Sequence, residues 1–170
     1  MLVLGIDPGT ATTGYGLVGL NGKGVAELLT HGLIETDKDG HPGARLVEIY
    51  KQTSALLKKH KPSVVAIERI FFFINKKTVI RVSQAQGVLL LAAADLGIPV
   101  AEYAPGQIKL TVGGHGRADK KVMQKVIKDT FGLEAEKNNK THFDNVADAI
   151  AIAMCHIKIV NNKQSSVNRG

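Results

Sequence analysis

The 170-residue sequence predicts a mixed α/β sheet with helices on both faces. Three observations predict it. Short apolar runs alternate with longer stretches of helical periodicity, and the first three strand-like runs follow one another without a helix between them. A wholly apolar run, Ser63–Ile67, has the character of a strand buried on both sides. The resulting order, βββαβαβααα, suits one five-stranded sheet. One core commonly serves about 100–200 residues. With no repeat or linker in view, a single domain over residues 1–157 is expected, followed by a short basic tail.

Leu2–Ile6 is an apolar strand stopped by the turn residues Asp7-Pro8-Gly9. Thr12–Leu20 and Gly24–Glu35 read as two further strands joined by Asn21-Gly22, a hairpin dipeptide. Between Gly43 and His60 the residues Leu46, Ile49, Tyr50, Thr53, Leu56 and Leu57 recur at helical spacing, and Pro62 closes the helix. Ser63–Ile67 then delivers Glu68 at its C-terminal end. Helical pattern resumes near Val79 and ends at Gly97, and Pro99–Tyr103 is a short strand. A helix starts at Pro105, Gly113–Gly116 is a glycine loop, and Asp119–Phe131 is the next helix. Glu134–Lys140 reads as a polar loop and Phe143–Ile157 as the last helix. The tail Lys158–Gly170 is basic and is expected to be disordered.

Composition narrows the function classes. At 44% hydrophobic and 22% charged residues the chain is not disordered overall. Its 22 Lys and Arg against 15 Asp and Glu give a net charge of +7, which suits a polyanionic partner such as nucleic acid. The one cysteine, Cys155, excludes an intramolecular disulfide and suggests a reducing compartment. The longest apolar run, Val88–Ala94, falls far short of the about 18 residues a membrane span needs. The N-terminus lacks a basic leader and meets Asp7 too early for a signal peptide, so a cytoplasmic protein is expected.

Three features bring acids together. Asp7 and Glu68 end two strands that, if adjacent, project from one sheet edge, where α/β proteins place ligands. Asp144 and Asp148 are four residues apart and share a helix face. Hard oxygen donors without cysteine suit Mg²⁺ or Mn²⁺, not zinc. Taken singly, each acid is ordinary: a turn, a strand end, a helix-terminal charge. Together, in a basic chain, they point to metal-dependent phosphoryl transfer, in which two ions can activate water and stabilise a leaving oxygen.

Lys109, Arg117, Lys120, Lys121, Lys125 and Lys128 form the densest basic stretch and suit phosphate contacts, although a solvated helix face explains the last three equally well. Arg69, Lys76, Lys77 and Arg81 form a candidate second strip near the catalytic edge. Phe71-Phe72-Phe73 cannot all face one core, so at least one is expected at the surface or an interface, where aromatic faces stack on bases. The helix over Ser83–Leu96 is apolar around most of its circumference and needs cover on two sides. His115, His142 and His156 are expected to be structural or solvent-facing, and Cys155 a core residue.

GIDPGTATTGYG (Gly5–Gly16), AIERIFF (Ala66–Phe72), SQAQGVLLLAA (Ser83–Ala93), EYAPGQIKLTVGGHGRADK (Glu102–Lys120) and ADAIAIAMCH (Ala147–His156) resemble, in order, the RuvC family of Holliday junction resolvases. The resemblance implies a ribonuclease-H-like fold and a homodimer formed through the Ser83–Leu96 helix. It implies Mg²⁺-dependent paired nicking of a four-way DNA junction, with two ions per site, and cooperation with a RuvA–RuvB branch-migration complex. By the same resemblance, Asp7, Glu68 and Asp148 fall on metal-binding carboxylates. Lys109 and Lys120 fall on basic positions near the scissile phosphate, Lys120 assisting catalysis by stabilising charge there. Phe71 falls on a base-stacking position, and Phe72 beside it is a weaker candidate.

The fourth ligand position, three residues before the last aspartate, is usually Asp or His in the family and is Asn145 here. A neutral amide neither attracts a cation strongly nor accepts a proton. Asp144 is therefore expected to supply the fourth carboxylate, with Asn145 a weak or outlying ligand; water alone is the alternative. Two other functions compete. Asn145 would mark a damaged site in a non-catalytic junction-binding module. GIDPGT also resembles the first phosphate loop of actin-like ATPases, but that architecture needs two such domains.

Overall fold

Alternation of apolar residues along each strand is what divides this protein into two cores. In the computed structural model, which describes residues 1–70, 76–133 and 140–167 (the side chains of 76–78, 140, 141 and 164–167 excepted), five strands form one mixed sheet. They are β1 (Leu2–Asp7), β2 (Thr12–Leu20), β3 (Ala26–Glu35), β4 (Val64–Glu68) and β5 (Val100–Tyr103), in the order β3-β2-β1-β4-β5. The first three are antiparallel neighbours, and β4 joins β1, and β5 joins β4, in parallel. Val3, Val64 and Ala66 enter one core, and Leu4, Ile6, Val65 and Ile67 enter the other. Because successive side chains point to opposite faces, Asp7 shares a face with Val3 and Glu68 with Val64 and Ala66.

Helices cover both faces, as the sequence predicts. α1 (Pro42–His60) and α2 (Lys76–Asp95) cover the Leu4 and Ile6 face. α3 (Pro105–Gly113), α4 (Lys120–Phe131) and α5 (Lys140–Val167) cover the Val3 face. Asp119 starts α4 by accepting from the Val122 N–H at 2.9 Å, which fixes Lys120 as its first helical residue.

Two expectations are corrected. Residues Lys158–Val167 are helical, not disordered: α5 runs on past Ile157 because Ile157 is buried and Ile159 packs against the same core. The β2–β3 connection is not a two-residue turn at Asn21-Gly22. The Asn21 side chain instead accepts from the N–H groups of Lys23 and Val25, and Gly24 takes the positive φ of 75°.

α5 seats directly on a floor of glycines. Gly5 pairs with Gly16 and Asp7 with Gly14 across β1 and β2. A Cβ on Gly5 would overlap the Ala149 carbonyl oxygen and lie 2.7 Å from the Ala153 nitrogen; one on Gly14 would lie 2.6 Å from the Asn145 carbonyl carbon. Only bare backbone lets the helix approach this closely, and that approach carries residues 144–148 over the end of β1. Gly5→Ala is therefore expected to cost about 1–3 kcal/mol, because the new methyl meets backbone that no rotamer change can move. A urea melt checks this: the midpoint falls with little change in slope, whereas an unchanged midpoint would show that α5 is not held by this contact.

Candidate active site

Asp7 and Glu68 each stand one residue beyond the paired Ile6 and Ile67 at the C-terminal ends of parallel neighbours, on the α5 face. α5 brings Asp148 to the same edge. Glu68, Asp148, Lys109 and Lys120 line a cleft of about 220 Å³, walled by Ile108, Met123 and Ile152. Acids from β4 and α5 and lysines from α3 and α4, separated widely in sequence, thus meet in one place.

Three of the acids are raised, chiefly by burial, and two lysines oppose the shift. Burial pushes the Asp7 carboxyl up to about 7, and the charges of Asp148 and Glu68 add to the effect while Lys120 opposes it. Burial likewise raises Glu68, helped by Asp148 and opposed by Lys109. Asp148 is raised by burial against the opposing pull of Lys120. Lys120 lies between two of the acids: its ammonium is 3.2 Å from Asp144 Oδ2 and 3.4 Å from Asp148 Oδ2. Partial burial would lower its pKa, yet Asp148 and Asp144 leave it raised. Gln124, one turn further along α4, donates to Asp144 Oδ1.

The fourth-ligand candidates face different neighbours. Asp144 turns toward α4, held by Gln124 and Lys120, and reaches the acids through the lysine it shares with Asp148. The Asn145 backbone lies over Gly14, the register partner of Asp7. Among the described residues no three His, Cys, Asp or Glu side chains stand close enough to enclose an ion, so closing such a set requires side-chain rotation.

The basic candidates divide. Lys109 and Lys120 reach the cleft, whereas Arg117 and Lys121 are exposed at the start of α4. Lys125 pairs with Asp129 at 2.7 Å, and Lys128 lies over the Phe143 ring. Arg69 is within 3.9 Å of Glu102, which also accepts from Gln86. Arg81 lies in a separate cleft with Lys38 and Arg45. Phe71 and Phe72 lie outside the described residues, as do the side chains of Lys76 and Lys77. His156 bonds Tyr103 at 2.7 Å, His142 lies 3.3 Å from Glu35, and Cys155 is in the core, in keeping with structural roles. Sequence reasoning missed Gln124; its spacing of four from Lys120 on a helix was the available signal.

A family model described as crossover junction endodeoxyribonuclease RuvC matches residues 3–156. The chain belongs to the RuvC family. The crossover junction endodeoxyribonuclease RuvC of Syntrophomonas wolfei is 47% identical over 157 residues, covering 92% of this chain and 88% of the relative. The solved structure of Thermus thermophilus RuvC superposes with a TM-score of 0.84 at 33% identity, covering 96% of this chain and 97% of that one. T. thermophilus RuvC in complex with Holliday junction substrate gives 0.83 at 32% identity, covering 94% of each chain. RuvC membership fits the ribonuclease-H-like sheet and favours neither the non-catalytic module nor the ATPase. Among the described residues of this RuvC chain, no helix is long and apolar enough to cross a membrane.

Proposed function

We propose that this RuvC-family endonuclease resolves four-way DNA junctions by hydrolysing one phosphodiester at the Asp7–Glu68–Asp148 edge of each protomer of a homodimer. The observation that carries this reading is the ammonium of Lys120 seated between Asp144 and Asp148, beside Asp7 and Glu68 held above ordinary carboxylate behaviour. A cation stabilises acids raised by burial and by one another's charge, and Lys120 supplies part of that charge.

The donor set fits Mg²⁺, with Mn²⁺ able to substitute: every candidate ligand is a hard oxygen, from Asp7, Glu68, Asp148, Asp144 and the Asn145 amide. Bound there, two divalent ions supply activation of water and neutralisation of the departing 3′ oxygen. The residues supply position and charge. Asp7 and Glu68 anchor the site on rigid strands, and α5 presents Asp148 from above. Lys109 and Lys120 offer charge-assisted hydrogen bonds to the phosphate oxygens, where negative charge builds as the bond breaks.

Further DNA contact is assigned to Arg69, Arg117, Lys121, Lys76 and Lys77 around this edge, and to base stacking by Phe71 and Phe72. Self-association is assigned to α2. Its inner face buries Ala85, Leu89, Ala92 and Ala93, while Ile80 and Leu91 remain 61% and 59% exposed on the same outer face as Gly87. Cooperation with a RuvA–RuvB complex rests on the family likeness alone.

A synthetic four-way junction tests the reading: paired nicks with Mg²⁺ and none in EDTA are expected, and binding without nicks in any divalent ion would overturn it. The fourth ligand is separable in the same assay. Asp144→Asn is expected to slow cleavage about a hundredfold or more, and Asn145→Ala about tenfold or less. Near wild-type cleavage by Asp144→Asn would remove Asp144 from the ligand set.

A further inference from the structure

On the opposite face of the sheet from the acidic site lies a second, larger cleft of about 510 Å³. Its wall includes Thr10, from the β1–β2 turn three residues beyond Asp7, the N-terminal end of α1 at Pro42, and Arg81 and Gln84 of α2. Among the described residues three cations face it, Lys38, Arg45 and Arg81, and no carboxylate lines it. Among the described residues none of the three makes an ion pair. The acids near these cations in sequence do not enter the cleft: Asp37 accepts from the N–H of Asp39 at 3.0 Å, Glu48 accepts from Gln52, and neither they nor Asp39 line it.

Arg45 is built into this cleft rather than draped over it. Its Nε donates to Thr36 Oγ1 at 3.0 Å, and that hydroxyl donates to the Thr10 carbonyl at 2.6 Å. Its Nη1 donates to the Lys38 carbonyl at 3.4 Å. The guanidinium is thus half-buried and tied, through one threonine, to the turn that follows Asp7. A preorganised guanidinium flanked by two exposed cations is chemistry for a phosphodiester oxygen.

We propose that the Lys38–Arg45–Arg81 cleft is a second phosphate-backbone site, holding a DNA strand other than the one cut, on the far side of the Asp7–Thr12 turn. The proposal rests on the junction-nuclease reading. A crossover brings two strands close at one point, and a protein gripping both sides of a single turn fixes which phosphate meets the acids. The chain Arg45–Thr36–Thr10 gives that grip a mechanical link to the strand bearing Asp7.

The test is the salt dependence of junction binding in EDTA, measured with the full chain and the double variant Lys38→Gln/Arg81→Gln. Both residues are exposed, so the fold is spared, and Arg45 is left in place to hold Thr36. Each phosphate contact contributes about 0.9 to the slope of log K against log salt. The variant is expected to lose roughly two from that slope and tenfold or more in affinity near 0.1 M salt, with the charge-reversed Lys38→Glu/Arg81→Glu losing more. A wild type that binds the junction and variants with an unchanged slope would overturn this site alone; a wild type that does not bind would overturn the nuclease reading with it. A thermal shift with inorganic phosphate that the double variant abolishes, alongside an unchanged junction slope, would assign the cleft to a free anion and overturn the DNA proposal.

Discussion

Asp7→Asn is expected to abolish junction cleavage while making the metal-free protein more stable above neutral pH. The two effects come from one cause. Asp7 ends β1 in a half-buried position near Asp148 and Glu68, and its carboxyl is pushed up to about 7 in the folded chain against an ordinary 3.8. Between those values the folded protein holds a proton that the unfolded chain has released. Stability of the metal-free protein therefore falls as pH rises through this window and stays low above it. A displacement of this size corresponds to an upper bound on the order of 4 kcal/mol. Asparagine keeps the shape and carries no charge, so the variant should melt several degrees above wild type at pH 8, with the gap closing as pH falls from about 7 toward 3.8.

Mg²⁺ should raise the wild-type melting temperature at pH 8 and do so much less at pH 5, where a proton already neutralises the group. Cleavage moves the other way. Without the β1 carboxylate the site loses charge it needs to hold a divalent ion, and a loss of at least about a thousandfold, or about 4 kcal/mol of barrier, is expected. Melting curves with and without Mg²⁺ at the two pH values, beside nicking rates on a four-way junction, check both halves. An Asp7→Asn protein that cuts normally, or is less stable than wild type at pH 8 without metal, would show that Asp7 is not part of a strained acidic site.

Much of this site was legible in the sequence because strands and helices have fixed periods. Asp7 and Glu68 lie at the ends of apolar runs, and two such runs in a parallel pair put their last side chains together. That pairing is what β1 and β4 form. Asp148 was legible together with Asp144, four residues before it, as two acids sharing one helix face. What escaped is whatever depends on contacts between distant elements. No period predicts that Gly5, Gly14 and Gly16 form the floor for α5, because a glycine in a strand reads as a weakness until the helix above it is known. Gln124 escaped because its partner is twenty residues away on another helix.

Arg81 shows the limit from the other side. Sequence proximity grouped it with Arg69, Lys76 and Lys77, but the helical turn of α2 carries it to the opposite face, next to Lys38 and Arg45. The tail was misread for a related reason. Its basic residues signalled exposure, while one isoleucine among them, Ile159, packs against the same core as Ile157 and continues α5.

Lys120→Gln is expected to weaken cleavage about a hundredfold to a thousandfold and, in the absence of DNA, to tighten divalent-ion binding. The opposite signs follow from where the ammonium sits. At 3.2 and 3.4 Å from Asp144 and Asp148 it occupies space and charge that a cation at those two carboxylates would require, so an ion binding there would have to displace it. Half-exposed ion pairs of this kind are worth at most about 1 kcal/mol, so removing the competitor should improve Mn²⁺ affinity by no more than about fivefold. Once displaced, the lysine is free to turn to the phosphate, and there it meets charge that grows toward the transition state. Losing one donor to a developing oxyanion commonly costs about 10²–10³ in rate. Lys120→Arg keeps the charge but spreads it over a plane, and should recover the metal competition more fully than the cleavage. Calorimetric Mn²⁺ titration of the DNA-free protein and single-turnover nicking on a four-way junction separate the two roles. If Lys120→Gln bound Mn²⁺ more weakly than wild type, the lysine would be supporting the ligand carboxylates rather than competing for them, and the exchange of ammonium for metal would be wrong.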